Sequence, residues 1–330
     1  MQHVFRWDLD KTYLRTDFDS LRGLVRAAME PAREKRAFPG AATLLRELRT
    51  HAPVGLFILS GSPRQMRGVL LEKLALDGVV PDEIVLKPNL SNLVRLRLRA
   101  IREQVGYKLG ELLAARVRLG RDLPETLVGD DAESDAFVYS LYADVLAGRV
   151  NESSLDRILS AAAVDEEDRA RVGELAHSIE KSNAVRRILI HLERGEAPMR
   201  FARFAPRLAC FRNYFQAAAI LCADGHLSAE APARVADEMI VEHAFAQDHL
   251  IEAARELARR GDVTLPALLT IAEGIMRVAD TNPPPPAAKG LRVLADHVRR
   301  LANAPAVALR PPTPIDYLEA IDSGEHRRGR

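Results

Sequence analysis

Residues 4–12 read Val-Phe-Arg-Trp-Asp-Leu-Asp-Lys-Thr, a short run of strand-forming residues that ends in two acids one residue apart. Side chains two residues apart share a face of an extended strand, so Asp8 and Asp10 can be aimed at one spot where the strand ends. Open α/β sheets build their sites at the carboxyl ends of their strands. Two like charges held this close repel strongly unless a cation lies between them. The pattern therefore indicates a divalent metal, most naturally Mg²⁺, which prefers oxygen ligands.

A solvated turn is the alternative interpretation of Asp8 and Asp10, because Asp and Thr favour turns and helix caps. Residues 4–12 alone leave both interpretations open. The order of the features further along the chain favours a site.

The composition is that of a globular protein with a hydrophobic core. The chain has 330 residues, which is room for about two domains, and 47% of them are hydrophobic and 28% charged. The formal net charge of +1 gives no reason to expect a nucleic-acid partner. Cys210 and Cys222 are too few for a disulfide framework and fit a reducing compartment. With no signal-peptide pattern at the start and no apolar run long enough to cross a bilayer, we expect a soluble, cytoplasmic protein without a transmembrane segment.

Strands alternate with helices over residues 1–150. The predicted strands are 4–9, 54–59, 83–86 and 125–128, and the predicted helices are 19–33, 41–50, 65–76, 92–119 and 136–146. This alternation predicts an α/β Rossmann-like core, a parallel sheet covered on both faces. Three of the strands are followed by polar clusters, at residues 8–12, 60–62 and 129–135. We expect these clusters to meet along one edge of the sheet.

Strand signals disappear from Glu152 onward, so residues 151–330 are predicted to form an all-α C-terminal domain. Its predicted helices are 155–163, 166–192, 201–223, 229–261, 265–279 and 291–301. We expect a proline-rich linker at 281–288 and a disordered tail at 324–330. One predicted helix carries a group of acids and histidines, namely Glu238, Glu242, His243, Asp248 and His249. Helical carboxylate metal sites usually pair Glu-x-x-His segments on separate helices, so we assign this group a structural role.

The ordered polar residues at the strand ends resemble the haloacid dehalogenase (HAD) superfamily, whose members are mostly magnesium-dependent phosphohydrolases. Asp-Leu-Asp-Lys-Thr at 8–12 fits the first motif of that family, Leu-Ser-Gly-Ser at 59–62 fits the second, and Gly-Asp-Asp-Ala-Glu-Ser-Asp at 129–135 fits the fourth. The resemblance covers about residues 1–150. It implies a HAD-type core and a Mg²⁺ cofactor.

The resemblance also implies a role for each site residue. Asp8 would be the nucleophile that forms an aspartyl-phosphate, and Asp10 would protonate the leaving alcohol and then activate water. Lys108 would neutralise the negative charge that develops on the phosphoryl group. The phosphate would be bound by Ser60 together with Thr12, Gly61 and Ser62, and Mg²⁺ by Asp8, Asp10 through its main-chain carbonyl, Asp130 and Asp135.

Two of these assignments have competitors. Lys87 and Lys73 are alternatives to Lys108, which we prefer because it opens the helical stretch that leads into the fourth strand. Asp131 adjoins Asp130 and is an alternative metal ligand. Position in the chain, rather than a specific pattern, separates these candidates.

A narrower resemblance is to the phosphatidate phosphatase branch of the superfamily, the actin-patch-type and lipin-like catalytic domains. It is carried by Ser-Gly-Ser-Pro at 60–63, Gly-Tyr-Lys at 106–108 and the fourth motif extended through Tyr139. Tyr107 stands where that branch usually has His, and the remainder contains no recognisable lipid-binding module. The implied partner is a phosphorylated substrate, phosphatidate or another lipid phosphate at a membrane surface.

The gaps in which other superfamily members carry a cap domain are short in this chain. Residues 13–53 and 61–107 are largely used by core elements, so we expect a core without a large cap and an open site that suits a large substrate. One alternative is a small-metabolite or nucleotide phosphatase lidded by the helical domain. The other is a non-catalytic scaffold that keeps the fold, and the clustered acids speak against it.

Overall fold

The computed structural model describes residues 2–16, 30–87, 96–119, 123–132, 134–302 and 313–324, with the helical backbone alone described for 96–104. In these residues, six parallel strands form one sheet. They are β1 (His3–Trp7), β2 (Val54–Pro63), β3 (Glu83–Lys87), β4 (Glu125–Asp130), β5 (Val185–His191) and β6 (Leu208–Phe211). The first four strands and the parallel sheet were predicted from the sequence, and both are confirmed.

The strand order is β3-β2-β1-β4-β5-β6. The chain builds outward from β1 through β2 to β3, then returns to the other side of β1 and builds outward again through β4. In the middle of the sheet, Val4 of β1 pairs with Gly55 on one side and with Glu125 on the other. Such a reversal of strand order opens a crevice at the carboxyl ends of the two central strands, which is where open α/β sheets bind ligands.

Helices cover both faces of the sheet. The described helices are α1 (Ala41–His51), α2 (Arg67–Leu76), α3 (Leu96–Leu119), α4 (Asp135–Leu146), α5 (Glu152–Ala161), α6 (Glu166–Ser178), α7 (Tyr214–Ala223), α8 (Ala231–His243), α9 (Gln247–Arg260), α10 (Leu265–Ala279), α11 (Ala288–Leu301) and α12 (Tyr317–Asp322). Side chains alternate between the faces along each strand. Leu189 of β5 therefore packs into one core with α1, α2 and α7–α11, and Ile188 and Ile190 pack into the other with α3–α6 and α12.

Residues 151–330 are not an all-α domain. Residues 185–191 and 208–211, which the sequence placed inside helices, form β5 and β6 and extend the sheet. Because β5 pairs with β4 along its length, the sheet crosses the expected domain boundary at residue 150. Residues 188–190 are buried in full, and the periodicity of so short an apolar run does not distinguish a strand from a buried helix. The helices α7–α11 that follow β6 belong to the layer on one face of the sheet.

The proline-rich segment 281–288 lies within one helical layer. It connects α10 and α11, which pack against each other.

Most of the predicted helix 19–33, the stretch 88–95 and the tail from residue 325 lie outside the described residues. Among the helices that are described, none has both the length and the apolarity needed to cross a bilayer.

Candidate active site

The carboxyl end of β1 carries the first two acids. β1 ends at Trp7, and the Asp8 amide donates a hydrogen bond to the Val128 carbonyl of β4 (2.8 Å), which keeps Asp8 in the middle of the sheet. After Asp10 the chain turns through Lys11, whose φ of 59° lies in the left-handed region. Both acids are buried, with 1% of Asp8 and 3% of Asp10 exposed. β1 therefore places both acids at the crevice between the two central strands.

β4 and α4 supply two further acids. Asp130 is the last residue of β4, and Asp135 is the first residue of α4. The Asp135 carboxylate folds back and accepts a hydrogen bond from the Asp130 amide (3.3 Å). A Cβ atom on Gly129 would lie 2.2 Å from Asp135 Oδ2. Glycine is therefore required at position 129 for Asp135 to reach the strand end.

Three of these carboxylates converge with one ammonium group. Oxygen atoms of Asp8, Asp130 and Asp135 lie within 4.8 Å of one another. The Lys108 Nζ of α3 lies 3.1 Å from Asp8 Oδ1 and 2.5 Å from Asp135 Oδ1, and all four residues are at most 1% exposed. A buried group of like charges is stable only when cations offset it. The donor set consists of carboxylate oxygens, the ligands that Mg²⁺ takes in proteins, so these residues fit a divalent ion.

Two serines hold the Asp10 carboxylate. The Ser60 and Ser62 hydroxyls each donate to Asp10 Oδ2 (2.7 Å), and the Ser62 amide donates to Ser60 Oγ (2.9 Å). The pairing of β2 with β3 changes register between Ser60 and Pro63, and Gly61 lies in this irregular segment between the two serines. Both hydroxyls thus orient Asp10, and phosphate binding by Ser60, Gly61 and Ser62 stays a prediction.

The adjacent acids Asp130 and Asp131 face different partners. Asp130 Oδ2 accepts from the Thr12 hydroxyl (3.5 Å), which links the turn after β1 to the end of β4. The Asp131 carboxylate instead accepts from the amides of Arg194 (2.9 Å) and Glu196 (3.2 Å) in the loop after β5. Burial raises the pKa of Asp131, although these two amide hydrogen bonds act in the opposite direction. The geometry therefore favours Asp130 as the metal ligand and gives Asp131 the task of anchoring a loop.

The three candidate lysines have different surroundings. Lys108 contacts two of the site acids, as described above. The Lys87 Nζ lies 6.0 Å from the centre of the Tyr107 ring, and Lys73 forms an ion pair with Asp77 of 2.7 Å. These contacts favour Lys108 as the group that would neutralise charge in the site.

Two residues that the sequence did not assign to the site contact the turn after β1. His191 Nδ1 lies 2.9 Å from the Lys11 carbonyl oxygen, and the Tyr214 hydroxyl donates to the Thr12 carbonyl. Both belong to segments for which helix was predicted. His191 is the last residue of β5, so reading residues 185–191 as a strand would have placed it at the same edge of the sheet as Asp130.

The four acids of the site are buried. Asp8, Asp10, Asp130 and Asp135 are exposed by 3% at most, and the expectation of an open site for a large substrate stays a prediction. Asp135 folds back from α4 and Lys108 reaches in from α3, so two elements that are distant from β1 in the sequence contact the buried acids.

In the second group of acids and histidines, Glu238 joins two helices. Glu238 of α8 accepts hydrogen bonds from the Gly40 amide (3.1 Å) and the Thr43 hydroxyl, and it pairs with His243 (3.3 Å). Oxygen and nitrogen atoms of Glu238, Glu242 and His243 lie near one another, but Glu242 and His243 are exposed. The contacts of Glu238 fix α8 to the start of α1, which is a structural role, and the structural role of the other members stays a prediction.

The arrangement at the strand ends suits chemistry on an anionic group. Lys108 and a cation among the three carboxylates would attract a phosphate, while Asp8 and Asp10 offer a nucleophile and a proton carrier.

Comparison with protein-family models, with curated proteins and with solved structures found no match for this chain. The functional conclusion therefore depends on the site geometry and on the sequence motifs.

Proposed function

We propose that the protein is a magnesium-dependent phosphohydrolase that forms an aspartyl-phosphate on Asp8. The observation that carries the proposal is the convergence of Asp8, Asp130 and Asp135 with Lys108 at the centre of a parallel sheet. The carboxyl ends of the central strands are the place where such sheets bind ligands. The haloacid dehalogenase motifs assign catalysis to the same residues, which supports the proposal.

Asp8, Asp130 and Asp135 would hold the metal ion, and the family resemblance adds the main-chain carbonyl of Asp10. When bound, Mg²⁺ supplies positive charge that stabilises and orients the transferring phosphoryl group. Lys108 adds a second positive charge from the protein itself. Such preorganised charges count for more in a buried site than in water.

The side chains of this protein account for two successive displacements. A carboxylate oxygen of Asp8 attacks phosphorus, the bond from phosphorus to the ester oxygen breaks, and Asp10 gives the departing oxygen its proton. Asp10 then takes a proton from water, whose oxygen attacks the phosphorus of the aspartyl-phosphate, so that inorganic phosphate leaves and Asp8 is regenerated. The hydrogen bonds that Ser60 and Ser62 donate to Oδ2 hold the Asp10 carboxyl group in a defined orientation, which both proton transfers require.

Two substrate classes are supported by different observations. The motif that extends through Tyr139 favours phosphatidate or another lipid phosphate. The burial of the acids favours a compact phosphate ester, such as a small metabolite or a nucleotide, because a small ester reaches buried carboxylates more easily than a bulky one. In the second case the helical layer α7–α11, which touches the turn after β1 through Tyr214, would form part of the cover.

Hydrolysis of p-nitrophenyl phosphate with and without Mg²⁺ tests the proposal. We expect magnesium-dependent turnover in the wild type and a loss of at least about 10³-fold in Asp8→Asn, because the nucleophile is removed. The matched control is Asp156→Asn on α5, whose side chain is 67% exposed, and we expect it to keep full activity.

A substrate screen then separates the two classes: phosphatidate in mixed vesicles on one side, sugar phosphates and nucleotides on the other. If folded wild-type protein hydrolysed none of these substrates and acquired no phosphate on Asp8, the proposal of an enzyme would be wrong. The non-catalytic scaffold would then be the remaining interpretation.

A further inference from the structure

The turn that follows Asp10 has a backbone conformation that its own sequence does not favour. Lys11 has a φ of 59°, in the left-handed region that favours glycine. Within the turn, the Leu9 carbonyl accepts from the amides of Tyr13 (2.9 Å) and Leu14 (2.8 Å). A strained conformation of this kind persists only where the surrounding structure over-determines it, and such places cluster at functional sites.

His191 holds this turn from the end of β5. Its Nδ1 lies 2.9 Å from the Lys11 carbonyl oxygen, and because a carbonyl only accepts, Nδ1 carries the proton. Burial lowers the pKa of His191 to about 4, so the ring is neutral at pH 7. The ring is enclosed by the aromatic rings of Phe38, at 4.5 Å, and Phe211, at 5.0 Å between centroids. Its position and its proton are therefore both fixed.

Tyr214 holds the same turn from the start of α7. Its hydroxyl donates to the carbonyl of Thr12, the residue next to Lys11. The Tyr214 side chain is 1% exposed, and its ring stacks near Trp7, the residue that precedes Asp8, with 6.4 Å between centroids. One aromatic side chain thus borders both ends of the segment that carries Asp8 and Asp10.

We infer that His191 and Tyr214 are positioning residues for Asp8 and Asp10. Each donates one hydrogen bond to a carbonyl of the turn, and together they fix the direction in which the two acids leave β1. The catalytic consequence rests on the proposed function, whereas the hold on the turn does not. Both residues come from beyond residue 150, so the second half of the chain takes part in the site.

Hydrogen exchange of the amides of residues 9–14 in the full chain tests the hold without any turnover. Tyr214→Phe removes one hydroxyl, His191→Leu removes the ring donor, and His191→Asn keeps a donor close to the position of Nδ1. We expect exchange in this segment to rise about tenfold in Tyr214→Phe and in His191→Leu, and to stay nearer the wild-type rate in His191→Asn.

The matched control is Tyr317→Phe, which removes the hydroxyl of another buried tyrosine. That hydroxyl donates to Asp144 Oδ2 (2.7 Å) in the core on the opposite face of the sheet. We expect Tyr317→Phe to leave exchange of residues 9–14 unchanged. If Tyr317→Phe and Tyr214→Phe raised exchange equally, the effect would be a general loss of stability, and the inference would be wrong.

Steady-state kinetics provide the catalytic readout. We expect Tyr214→Phe to lower kcat about tenfold with KM unchanged, since a displaced nucleophile slows the reaction more than it weakens binding. If the wild type lacked phosphatase activity but Tyr214→Phe still exchanged the amides of residues 9–14 faster, the proposed function would be wrong. The inference that Tyr214 holds the turn would remain. If the wild type were active and Tyr214→Phe matched it in exchange and in kcat, the inference would be wrong and the proposed function would stand. This holds even if His191→Leu failed to fold.

Discussion

Lys108 and Asp8 are 100 positions apart in the chain, yet the lysine Nζ lies 3.1 Å from Asp8 Oδ1. α3 brings the lysine to the carboxyl end of β1, and the same Nζ reaches Asp135 at the start of α4. One ammonium group thus joins two buried carboxylates that come from different elements. Removal of one partner from a buried ion pair leaves the remaining charges uncompensated, which is costly.

Lys108→Met should lower both stability and activity. The loss of the ammonium leaves Asp8 and Asp135 facing each other, so we expect the free energy of unfolding to fall by about 3–5 kcal/mol and kcat to fall by about 10²-fold or more. Urea unfolding and hydrolysis of p-nitrophenyl phosphate measure the two effects. Lys87→Met is the matched control, and equal losses in the two variants would remove the distinction between the lysines.

Mg²⁺ should raise the thermal unfolding midpoint, because an ion that binds the folded state alone stabilises it. At a concentration of about 100 times the dissociation constant, the gain is about 2.7 kcal/mol. We expect Asp130→Asn to lose this shift and Asp131→Asn to keep it, since Asp131 binds the amides of Arg194 and Glu196 instead. A shift that depended on Asp131 and not on Asp130 would reverse the assignment of the ligand.

Gly129→Ala should disrupt the site without changing any of its functional groups. The added methyl group would lie 2.2 Å from Asp135 Oδ2 and 2.7 Å from Asp135 Cβ, so Asp135 must move away from Lys108. We expect lower stability and a loss of at least about tenfold in kcat. Gly68→Ala on α2 is the control, because an added Cβ there meets nothing within 4 Å, and we expect it to be neutral or to stabilise by up to about 1 kcal/mol. Similar outcomes for the two variants would show that Asp135 does not need this approach.

Acid should destabilise the protein in part through His191. Burial lowers the pKa of His191 to about 4, from an ordinary value of 6.5, while the hydrogen bond to the Lys11 carbonyl acts in the opposite direction. Between these two pH values the unfolded chain binds more protons than the folded one. The contribution of His191 to the free energy of unfolding is therefore present in full above pH 6.5 and is lost as the pH falls towards 4. The contribution of His191 is at most about 3 kcal/mol.

The measurement is the free energy of unfolding as a function of pH in the wild type and in His191→Asn. We expect the variant to lose less stability between pH 6.5 and pH 4 than the wild type does. His3, whose pKa burial lowers to about 3, keeps part of the slope in both proteins. The exposed His177 provides the control, and a His177→Asn curve flattened as much as that of His191→Asn would contradict the assignment.

The sequence predicted four of the six strands, β1 to β4, where strands and helices alternate clearly. It missed β5 because Arg186 and Arg187 follow the first residue of that strand and its buried apolar part is only a few residues long, which fits a helix as well. It missed β6 although Pro206 lay inside the predicted helix 201–223, where a proline removes a backbone donor and argues against a helix. In the structure, Pro206 lies between the 3₁₀ segment Pro198–Phe204 and β6.

The site was predictable as far as it depends on strand ends. Asp8 and Asp130 follow from the rule that the carboxyl ends of parallel strands meet at one edge, and the structure brings them together. The contact of His191 with the Lys11 carbonyl joins residues 180 positions apart and depends on the unrecognised β5. The burial of the acids likewise depends on how α3 and α4 pack, which local patterns do not encode.

The central place of β1 in the sheet has a consequence during synthesis. β1 can pair with β2 soon after it is made, but its other neighbour, β4, begins only at Glu125. At translation rates of about 5–20 residues per second, roughly ten seconds pass before the second neighbour exists. Throughout that interval the strand that leads to Asp8 and Asp10 has at least one bare backbone edge. The strand on which the chemistry depends is therefore open to mispairing while the chain is made.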